Sequence, residues 1–171
     1  IKQLRSDFTL LGALLDPGVA HRLLMGMKTY FVRYPEQCRR AQRIAEFLAQ
    51  HPAVARVHYP GLPTHPRHAL ARRQMREFGS IVAFDLDRDA DFGRRFAEAL
   101  QLFAITASLG STESLVVPPQ MMHGRGDSAE VRAVSGVTNA TIRLSIGLED
   151  PEELCADLAR ALERAEHPSP A

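Results

Sequence analysis

One arginine near the C-terminal end of the chain stands where it could bind an anion. Arg143 lies in the segment "ATIRLSIG", in which Ile142, Leu144 and Ile146 alternate with polar residues. Because successive side chains of a strand point to opposite faces, this pattern predicts a strand whose apolar residues face the core and whose arginine faces away from it. A guanidinium held there could bind a carboxylate or a phosphate through two parallel hydrogen bonds. The alternative is an ion pair with a neighbouring acid on the sheet surface.

A turn rich in serine and glycine is the second candidate for anion binding. It lies within "ITASLGSTESLVVPPQMMHG", from Ile105 to Gly124, between the apolar runs "LFAIT" and "SLVV". Small hydroxyl residues and a glycine let the backbone approach a ligand and offer hydrogen-bond donors. An ordinary connection in a protein of mixed helices and strands has the same composition, and that alternative stays open. The residues concerned are Ser108, Gly110, Ser111, Thr112 and Ser114.

The elements that must position these residues alternate between helices and strands. Asp16 and Pro17 predict the start of a helix, and Pro35 predicts a kink or an end in it. Strands are predicted at "AVARVHY", "GSIVAFDL" and "LFAIT", and helices at "HPRHALARRQM" and "DFGRRFAEAL". A last helix begins with a capping box and a first-turn proline at Asp150 and Pro151. This order predicts an α+β fold of two layers, a small sheet with helices on one face.

Composition excludes several function classes. The 171 residues can bury a sizeable core, and basic and acidic residues nearly cancel at 21 against 20. The arginine clusters have no interleaved aromatic residues, and no apolar run is long enough to span a membrane, so neither nucleic acid nor a membrane is expected as a partner. Cys38 and Cys155 fall in helical apolar patterns, which predicts buried reduced thiols and a cytoplasmic location.

Three histidines raise the question of a metal site. His65 and His68 lie three residues apart in "THPRH", and His58 precedes them. Pro66 interrupts the spacing, and no carboxylate or thiolate is near them in the sequence, so a structural or surface role is favoured and no metal is expected.

Several motifs together resemble one enzyme family. "MGMKTYFVRYPEQCRRAQRIAEFLAQHPAVARVHYPGLPTHPRHALARRQM" is followed in order by "ASLGSTESL", "MMHG" and "IRLSIGLEDPEEL". From about Gly12 to Ala165 the chain is similar to the C-terminal part of the Cys/Met-metabolism enzymes, such as cystathionine γ-synthase, cystathionine γ- and β-lyase and methionine γ-lyase. These enzymes use pyridoxal 5′-phosphate (PLP). The resemblance implies the small domain of a fold-type I PLP-dependent enzyme.

The same resemblance implies that the catalytic half is not in this chain. In the family a preceding large domain holds PLP through a Schiff-base lysine in a Ser-x-Thr-Lys context. The lysines here are Lys2 and Lys28, and neither has that context. We therefore expect a single C-terminal domain over residues 1–171, with a linker at 1–15, a folded core at 16–165 and a tail at 166–171. The large PLP-binding domain would be supplied in cis or in trans, and the chain alone would be inactive.

The site residues follow from the motifs that match. Arg143 corresponds to the family's "RLS" arginine, which binds the α-carboxylate of the amino acid substrate. Ser108, the catalytic candidate, corresponds to the "SLG" serine beside the Schiff-base lysine, and it lies with Ala107 and Leu109 in the substrate-binding set. Met122 stands where the family usually has a threonine near the substrate. Ala107 replaces a glutamate found in several γ-synthases and γ-lyases, which mildly favours γ- or β-elimination of another kind, such as that of methionine γ-lyase, over cystathionine cleavage.

Three function classes remain after these comparisons of residues, and the least favoured of them is an arginine-rich nucleic-acid binder. The first is the C-terminal domain of a PLP-dependent lyase or transferase of trans-sulfuration, acting on cysteine-, methionine-, homoserine- or cystathionine-type substrates in a homo-oligomer, a tetramer in the family. The second is a non-catalytic remnant that binds carboxylates or another protein. A Ser-x-Thr-Lys motif upstream of Ile1 would decide for the first.

Overall fold

The computed structural model describes residues 2–12, 14–122 and 134–167. The residues group into two compact units, Ile1–Tyr34 and Pro35–Ala171. Residues 168–171 of the expected tail lie outside the described residues, as do His123 and Gly124 of the "MMHG" motif. The extent of a single domain over 1–171 stays a prediction.

The first unit consists of helices with exposed apolar side chains. Helix α1 spans Lys2–Leu11, inside the segment expected to be a linker, and helix α2 spans Pro17–Lys28. The predicted cap is confirmed, because the Asp16 carboxylate accepts hydrogen bonds from the first-turn amides and Pro17 occupies the first turn. No described residue of α2 is buried.

The predicted end of the first helix at Pro35 is wrong. Helix α2 ends at Lys28, and helix α3, Tyr30–Leu48, contains Pro35 in its second turn. The break falls at Thr29, whose hydroxyl accepts a hydrogen bond of 3.0 Å from the side chain of Arg33. Pro35 removes one backbone hydrogen bond of α3, a loss that the helix tolerates near its start.

The second unit is built on a mixed sheet. Its described strands are β1 (Val54–His58), β2 (Ile81–Leu86), β3 (Ala104–Ile105), β4 (Leu115–Val117) and β5 (Thr141–Ser145). They lie in the order β1-β2-β5-β4-β3, with β3 and β4 parallel and the other neighbours antiparallel. The strand predicted at "LFAIT" is shortened to the two residues of β3.

Helices cover the apolar face of this sheet. Those that contribute to the core are the second part of α3, α5 (Ala90–Ala99) and α7 (Pro151–Glu166), and the unit also contains α4 (His68–Gln74) and the short α6 (Pro119–Met122). The predicted alternation on β5 is confirmed, because Ile142, Leu144 and Ile146 are fully buried in one core with residues of α3, α5 and α7. The α+β class is therefore confirmed. None of the described helices has the length and apolar character of a membrane span.

The connection between β3 and β4 is the irregular part of this unit. Parallel neighbours require a crossover, which usually contains a helix and a dozen or more residues. Residues 106–114 make this crossover without a helix. We call this segment the crossover loop. The loop lies over β5, because its backbone forms hydrogen bonds with the side chains of Arg143 and Ser145 on that strand.

Candidate functional site

Arg143 lies at the centre of the sheet on the face opposite the core. Its strand β5 is flanked on both sides, and the residues beside Arg143 are Ala83 on β2 and Val117 on β4. Neither can neutralise a guanidinium, and no described carboxylate forms an ion pair with it. The alternative of an arginine paired with a neighbouring acid is therefore wrong for the described part of the chain.

The crossover loop supplies the described hydrogen-bond partners of Arg143. Nη2 donates to the carbonyl of Ser108 at 2.9 Å and to that of Ala107 at 3.4 Å. The Nε atom is buried and has no hydrogen-bond partner among the described residues. A buried charged donor without an acceptor is destabilising, by about 1 to 3 kcal/mol or more, so this atom would gain from an incoming acceptor.

A carboxylate is the acceptor that this geometry suits. Two oxygens can meet two N–H groups of a guanidinium edge, and the edge that carries Nε has one donor to spare. Since Nε is out of contact with solvent, a ligand reaches it only after the guanidinium or the groups that cover Nε shift. The backbone of the crossover loop thus already occupies Nη2 of Arg143, whereas Nε has no described acceptor.

The remaining predicted site residues lie at different distances from this contact. Ser108 and Leu109 are exposed on the crossover loop, Leu109 at 60%. Gly110 follows with a φ of 79°, a left-handed conformation that favours glycine, and its amide donates to the Ser145 hydroxyl at 3.0 Å. Met122 is half-buried at the end of α6, an element that packs against β5. The structure therefore joins Arg143, Ala107 and Ser108 directly.

The residues that hold the crossover loop in place were not predicted in this role, although Ser114 is one of the residues of the predicted serine- and glycine-rich turn. Gln37, Ser114 and Glu149 hold its second half through side-chain hydrogen bonds. One signal was present in the sequence, because Gln37 occupies a position of the buried stripe of α3, where an apolar residue would be expected. The roles of Ser114 and Glu149 had no such signal.

The loop also carries one perturbed carboxyl. The Ser111 hydroxyl donates a hydrogen bond to Glu113 and holds the pKa of that carboxyl below its ordinary value. Glu113 is exposed and stays ionised near neutral pH. Among the described residues, the Glu113 carboxylate accepts a hydrogen bond from Ser111 and forms no ion pair with Arg143.

The three histidines each have a separate hydrogen bond. His58 Nε2 lies 2.6 Å from Asp85 Oδ2, so the structure brings to His58 a carboxylate that the sequence did not place beside it. His68 Nδ1 contacts the Pro60 carbonyl at 2.8 Å, and His65 Nδ1 accepts from a backbone amide at 3.2 Å. Burial, then the charges of His58, Arg56 and His68, lower the pKa of His65. Among residues 2–12, 14–122 and 134–167, no three potential ligands are grouped to hold a metal ion.

The unit that contains Arg143 cannot form the covalent link to PLP by itself. The chain has lysines at positions 2 and 28, and both belong to the first unit. Lys28 is exposed at the end of α2, and the side chain of Lys2 lies outside the described residues. The residues around Arg143 fit a carboxylate, and they do not provide an amine for a Schiff base.

Comparison with protein families gives one match over nearly the whole chain. Residues 2–163 match the family described as "Cys/Met metabolism PLP-dependent enzyme". Among curated proteins, L-methionine gamma-lyase of Fusobacterium nucleatum subsp. polymorphum is 40% identical over 153 residues, which are 90% of this chain and 39% of that protein. Cystathionine gamma-lyase of Dictyostelium discoideum is 42% identical over 154 residues, 90% of this chain and 40% of that protein.

Solved structures give the same result. Cystathionine gamma synthase from Xanthomonas oryzae pv. oryzae, crystallised with aminoacrylate and cysteine, superposes with a TM-score of 0.84 at 40% identity, covering 92% of this chain and 41% of that one. Cystathionine gamma lyase from Micromonospora echinospora superposes with a TM-score of 0.83 at 39% identity, covering 93% and 42%. The chain thus spans about two fifths of the length of these relatives.

Proposed function

The chain belongs to the Cys/Met metabolism PLP-dependent enzymes, and on that premise we propose that it is the C-terminal domain of such an enzyme, supplying the site for the substrate's α-carboxylate. The substrate class is a sulfur-containing amino acid or its homoserine-type precursor. The reaction is a γ- or β-elimination or replacement. The curated relatives have this chemistry in their names, which support the proposal at the level of the class.

The observation that carries the proposal is the unpaired Nε of Arg143. This atom is a buried donor of a cationic group, it has no acceptor in the part of the chain that the structure describes, and it lies on the central strand of the sheet. A substrate carboxylate would supply the acceptor and would be held in a fixed orientation by a side chain on a rigid element. Fixing the carboxylate orients the bond at the α-carbon that must break.

Ser108, Ala107 and Leu109 would form the substrate's surroundings on the crossover loop. The exposed hydroxyl of Ser108 is free to meet an incoming amine, and we assign to it the positioning of that amine during proton transfer. Ala107 offers no carboxylate to a distal amino group, which favours a substrate such as methionine over cystathionine. Met122, on α6 beside β5, would add an apolar contact.

PLP would be bound mainly by the large domain, in the same chain or in a partner chain. When bound, it stabilises the negative charge that develops at the α-carbon of the substrate. The present chain contributes the carboxylate contact and the loop that positions the amine. Its homologues are enzymes, and we propose that this segment acts only when it is joined to a large domain in a cytoplasmic homo-oligomer.

A second candidate is a non-catalytic module that binds carboxylates or a protein partner. The absence of a lysine from positions 35–171 favours it, because that unit cannot hold PLP covalently. A Ser-x-Thr-Lys motif about thirty to forty residues before Gly12 in the complete gene product would exclude this candidate. A complete open reading frame without it, and without a partner gene, would favour it.

The test is the replacement of Arg143 in the complete enzyme. Arg143→Ala removes a charge-assisted contact and should lower kcat/KM by roughly 30- to 900-fold, the equivalent of about 2 to 4 kcal/mol. Arg143→Lys keeps the charge without the planar fork and should recover only part of this loss. Melting temperatures should stay close to that of the parent enzyme.

The control is Arg73→Ala, which removes an exposed arginine of α4 and should leave kcat/KM unchanged. If Arg143→Ala leaves kcat/KM at the parent value, the carboxylate is held elsewhere and the proposal is wrong.

A further inference from the structure

We propose that Gln37, together with the pair formed by Ser114 and Glu149, positions the carboxylate site by holding the crossover loop against β5. This inference rests on the proposed function of Arg143, and it names residues of other elements on which that function depends. None of the three has a described hydrogen bond or ion pair with Arg143. They act through the backbone that does.

The crossover loop has little regular structure to hold it in place. Its first residue, Thr106, donates a backbone hydrogen bond to Val116 at 3.1 Å, and the segment then leaves the sheet until β4 begins. Between these points, Ala107 and Ser108 accept from Arg143, and Gly110 donates to Ser145. A loop without a helix or a ladder keeps one position only if side chains from packed elements hold it.

Gln37 is one of the residues that hold the loop. It is 2% exposed on α3, and its Nε2 donates to the Ser111 carbonyl at 2.7 Å and to the Ile146 carbonyl at 3.0 Å. Ser111 follows Ser108 by three residues, and Ile146 follows Arg143 by three. One buried amide therefore joins the segment that carries the serine to the segment that carries the arginine.

Ser114 and Glu149 form a second connection between the same two segments. Glu149 accepts from the Ser114 amide at 2.7 Å and from its hydroxyl at 2.8 Å, and that hydroxyl accepts from the Gly147 amide at 2.9 Å. Ser114 is fully buried. A buried chain of this kind, in which each donor has an acceptor, favours one arrangement of its members.

Gly147 shows how closely the two backbones approach. A Cβ atom at this position would lie 2.4 Å from the Thr112 carbonyl oxygen and 2.6 Å from the Glu113 carbonyl carbon. These neighbours are backbone atoms that cannot turn aside, so the close approach requires glycine. The amide of Leu148 also donates to the Thr112 carbonyl at 2.8 Å. The loop thus rests directly on the segment after β5.

Helix α3 fixes the other side of that segment. Gln37, Arg40 and Arg43 are three residues apart and share one side of the helix. Arg40 donates to the Glu149 carbonyl, and Arg43 forms two hydrogen bonds with Glu152 at 2.9 and 3.0 Å. The Ile146 carbonyl that Gln37 binds therefore belongs to a segment that α3 also holds at Glu149. Gln37 thus ties the crossover loop to a segment that is itself fixed to the helix.

The experiment compares Gln37→Met with Gln42→Met in the complete enzyme. Methionine keeps the length of the side chain and removes both hydrogen bonds. Gln42 is half-buried on the same helix, its amide contacts Glu46 and Gly61, and no described hydrogen bond joins it to the crossover loop. Hydrogen–deuterium exchange of a peptide covering 106–114 is measured without PLP, and kinetics are measured with PLP.

We expect Gln37→Met to accelerate exchange of residues 106–114 about tenfold, because it removes the hydrogen bond to the Ser111 carbonyl in the loop and the hydrogen bond to Ile146 that anchors it. KM for the amino acid should rise about tenfold with kcat within about threefold, because the carboxylate contact is misplaced before chemistry begins. Gln42→Met should change neither quantity. A purely structural role would speed exchange across α3 and α7 as well and would leave KM unaltered.

Unchanged loop exchange or an unchanged KM in Gln37→Met would overturn the proposal. If that variant does not fold, Glu149→Gln decides by the same two measurements, since it replaces one acceptor of the Ser114 pair by a donor. The result separates from the proposed function: if Arg143→Ala raises KM and the Gln37 variant does not, only the positioning role is wrong. If neither raises KM, the carboxylate site itself is wrong.

Discussion

Two buried polar atoms among the described residues lack a hydrogen-bond partner, and they differ in what could relieve them. Gln42 Oε1 belongs to an amide whose oxygen and nitrogen exchange places when the group rotates. Arg143 Nε has a fixed place in a planar cation, and rotation of another group cannot supply an acceptor. A ligand oxygen can. At the scale of the residue, the unsatisfied Nε of Arg143 is therefore the observation on which the proposed carboxylate site rests.

A prediction at this scale concerns Cys155. Burial raises the pKa of its thiol from 9.0 to about 11. The folded state therefore keeps its proton where the unfolded chain has lost it, and stability should fall as the pH rises from about 9 to 11, by up to about 2 kcal/mol. Urea unfolding at pH 8, 9, 10 and 11 measures this loss.

Cys155→Ala provides the comparison for that series. It should be less stable than the parent at pH 8, since it leaves a small cavity, and it should lose less stability between pH 9 and 11. Parallel pH profiles for the two proteins would contradict the assignment to this thiol.

At the scale of the element, two helices begin with the same chemistry in different surroundings. Asp16 caps α2 and Asp150 caps α7, and in both helices a proline occupies the first turn. Helix α7 buries Leu154, Leu158 and Leu162, whereas no described residue of α2 is buried. The same cap therefore begins a helix that packs into the core in one case and a helix without described buried residues in the other.

The two caps should respond differently to removal. Asp150→Ala should lower the free energy of unfolding of the second unit by about 1 kcal/mol, because its helix unfolds with the core. Asp16→Ala should leave that value unchanged and should accelerate hydrogen exchange within α2. Equal effects of the two substitutions on global unfolding would show that α2 unfolds with the core.

Features with a local cause could be predicted from the sequence. The orientation of Arg143 follows from alternation along one strand, and both aspartate caps follow from residues beside them. Gln37 could not be assigned a role, because its partners lie 74 and 109 residues away. The helix break at Thr29 was missed because Pro35 is the stronger local signal, and a helix tolerates proline near its start.

At the scale of the whole molecule, the first unit exposes an apolar surface. Leu10 and Leu11 are each 81% exposed, Leu14 is 66% exposed and Phe31 is 84% exposed. Exposed apolar area of this kind is typical of surfaces that pack against another surface. The relatives are more than twice as long as this chain.

We expect the purified chain to associate through this surface. Sedimentation velocity should show assembly that increases with concentration, because burying exposed leucines removes apolar area from water. Leu11→Glu combined with Leu14→Glu should weaken assembly, and Glu163→Gln, which changes an exposed residue of α7, should not. A monomer at every concentration would contradict this expectation.

A second prediction at this scale concerns the cofactor. Mixed with PLP and reduced with borohydride, the 171-residue chain should yield no stoichiometric lysine adduct, because neither of its lysines lies in the family's context. Peptide mass spectrometry after reduction measures it. A full adduct at Lys2 or Lys28 would show that the chain binds the cofactor alone.

The position of β5 in the sheet has a consequence for synthesis of the protein. This strand is the last of the described strands in chain order, yet it lies in the centre of the sheet, between β2 and β4. Until Thr141–Ser145 leaves the ribosome, the β1–β2 pair and the β3–β4 pair each have an open edge where β5 will insert. Open edges can pair with other chains, so the two incomplete strand pairs are exposed to mispairing during this interval. The same five residues, Thr141–Ser145, contain Arg143 and join the two strand pairs into one sheet.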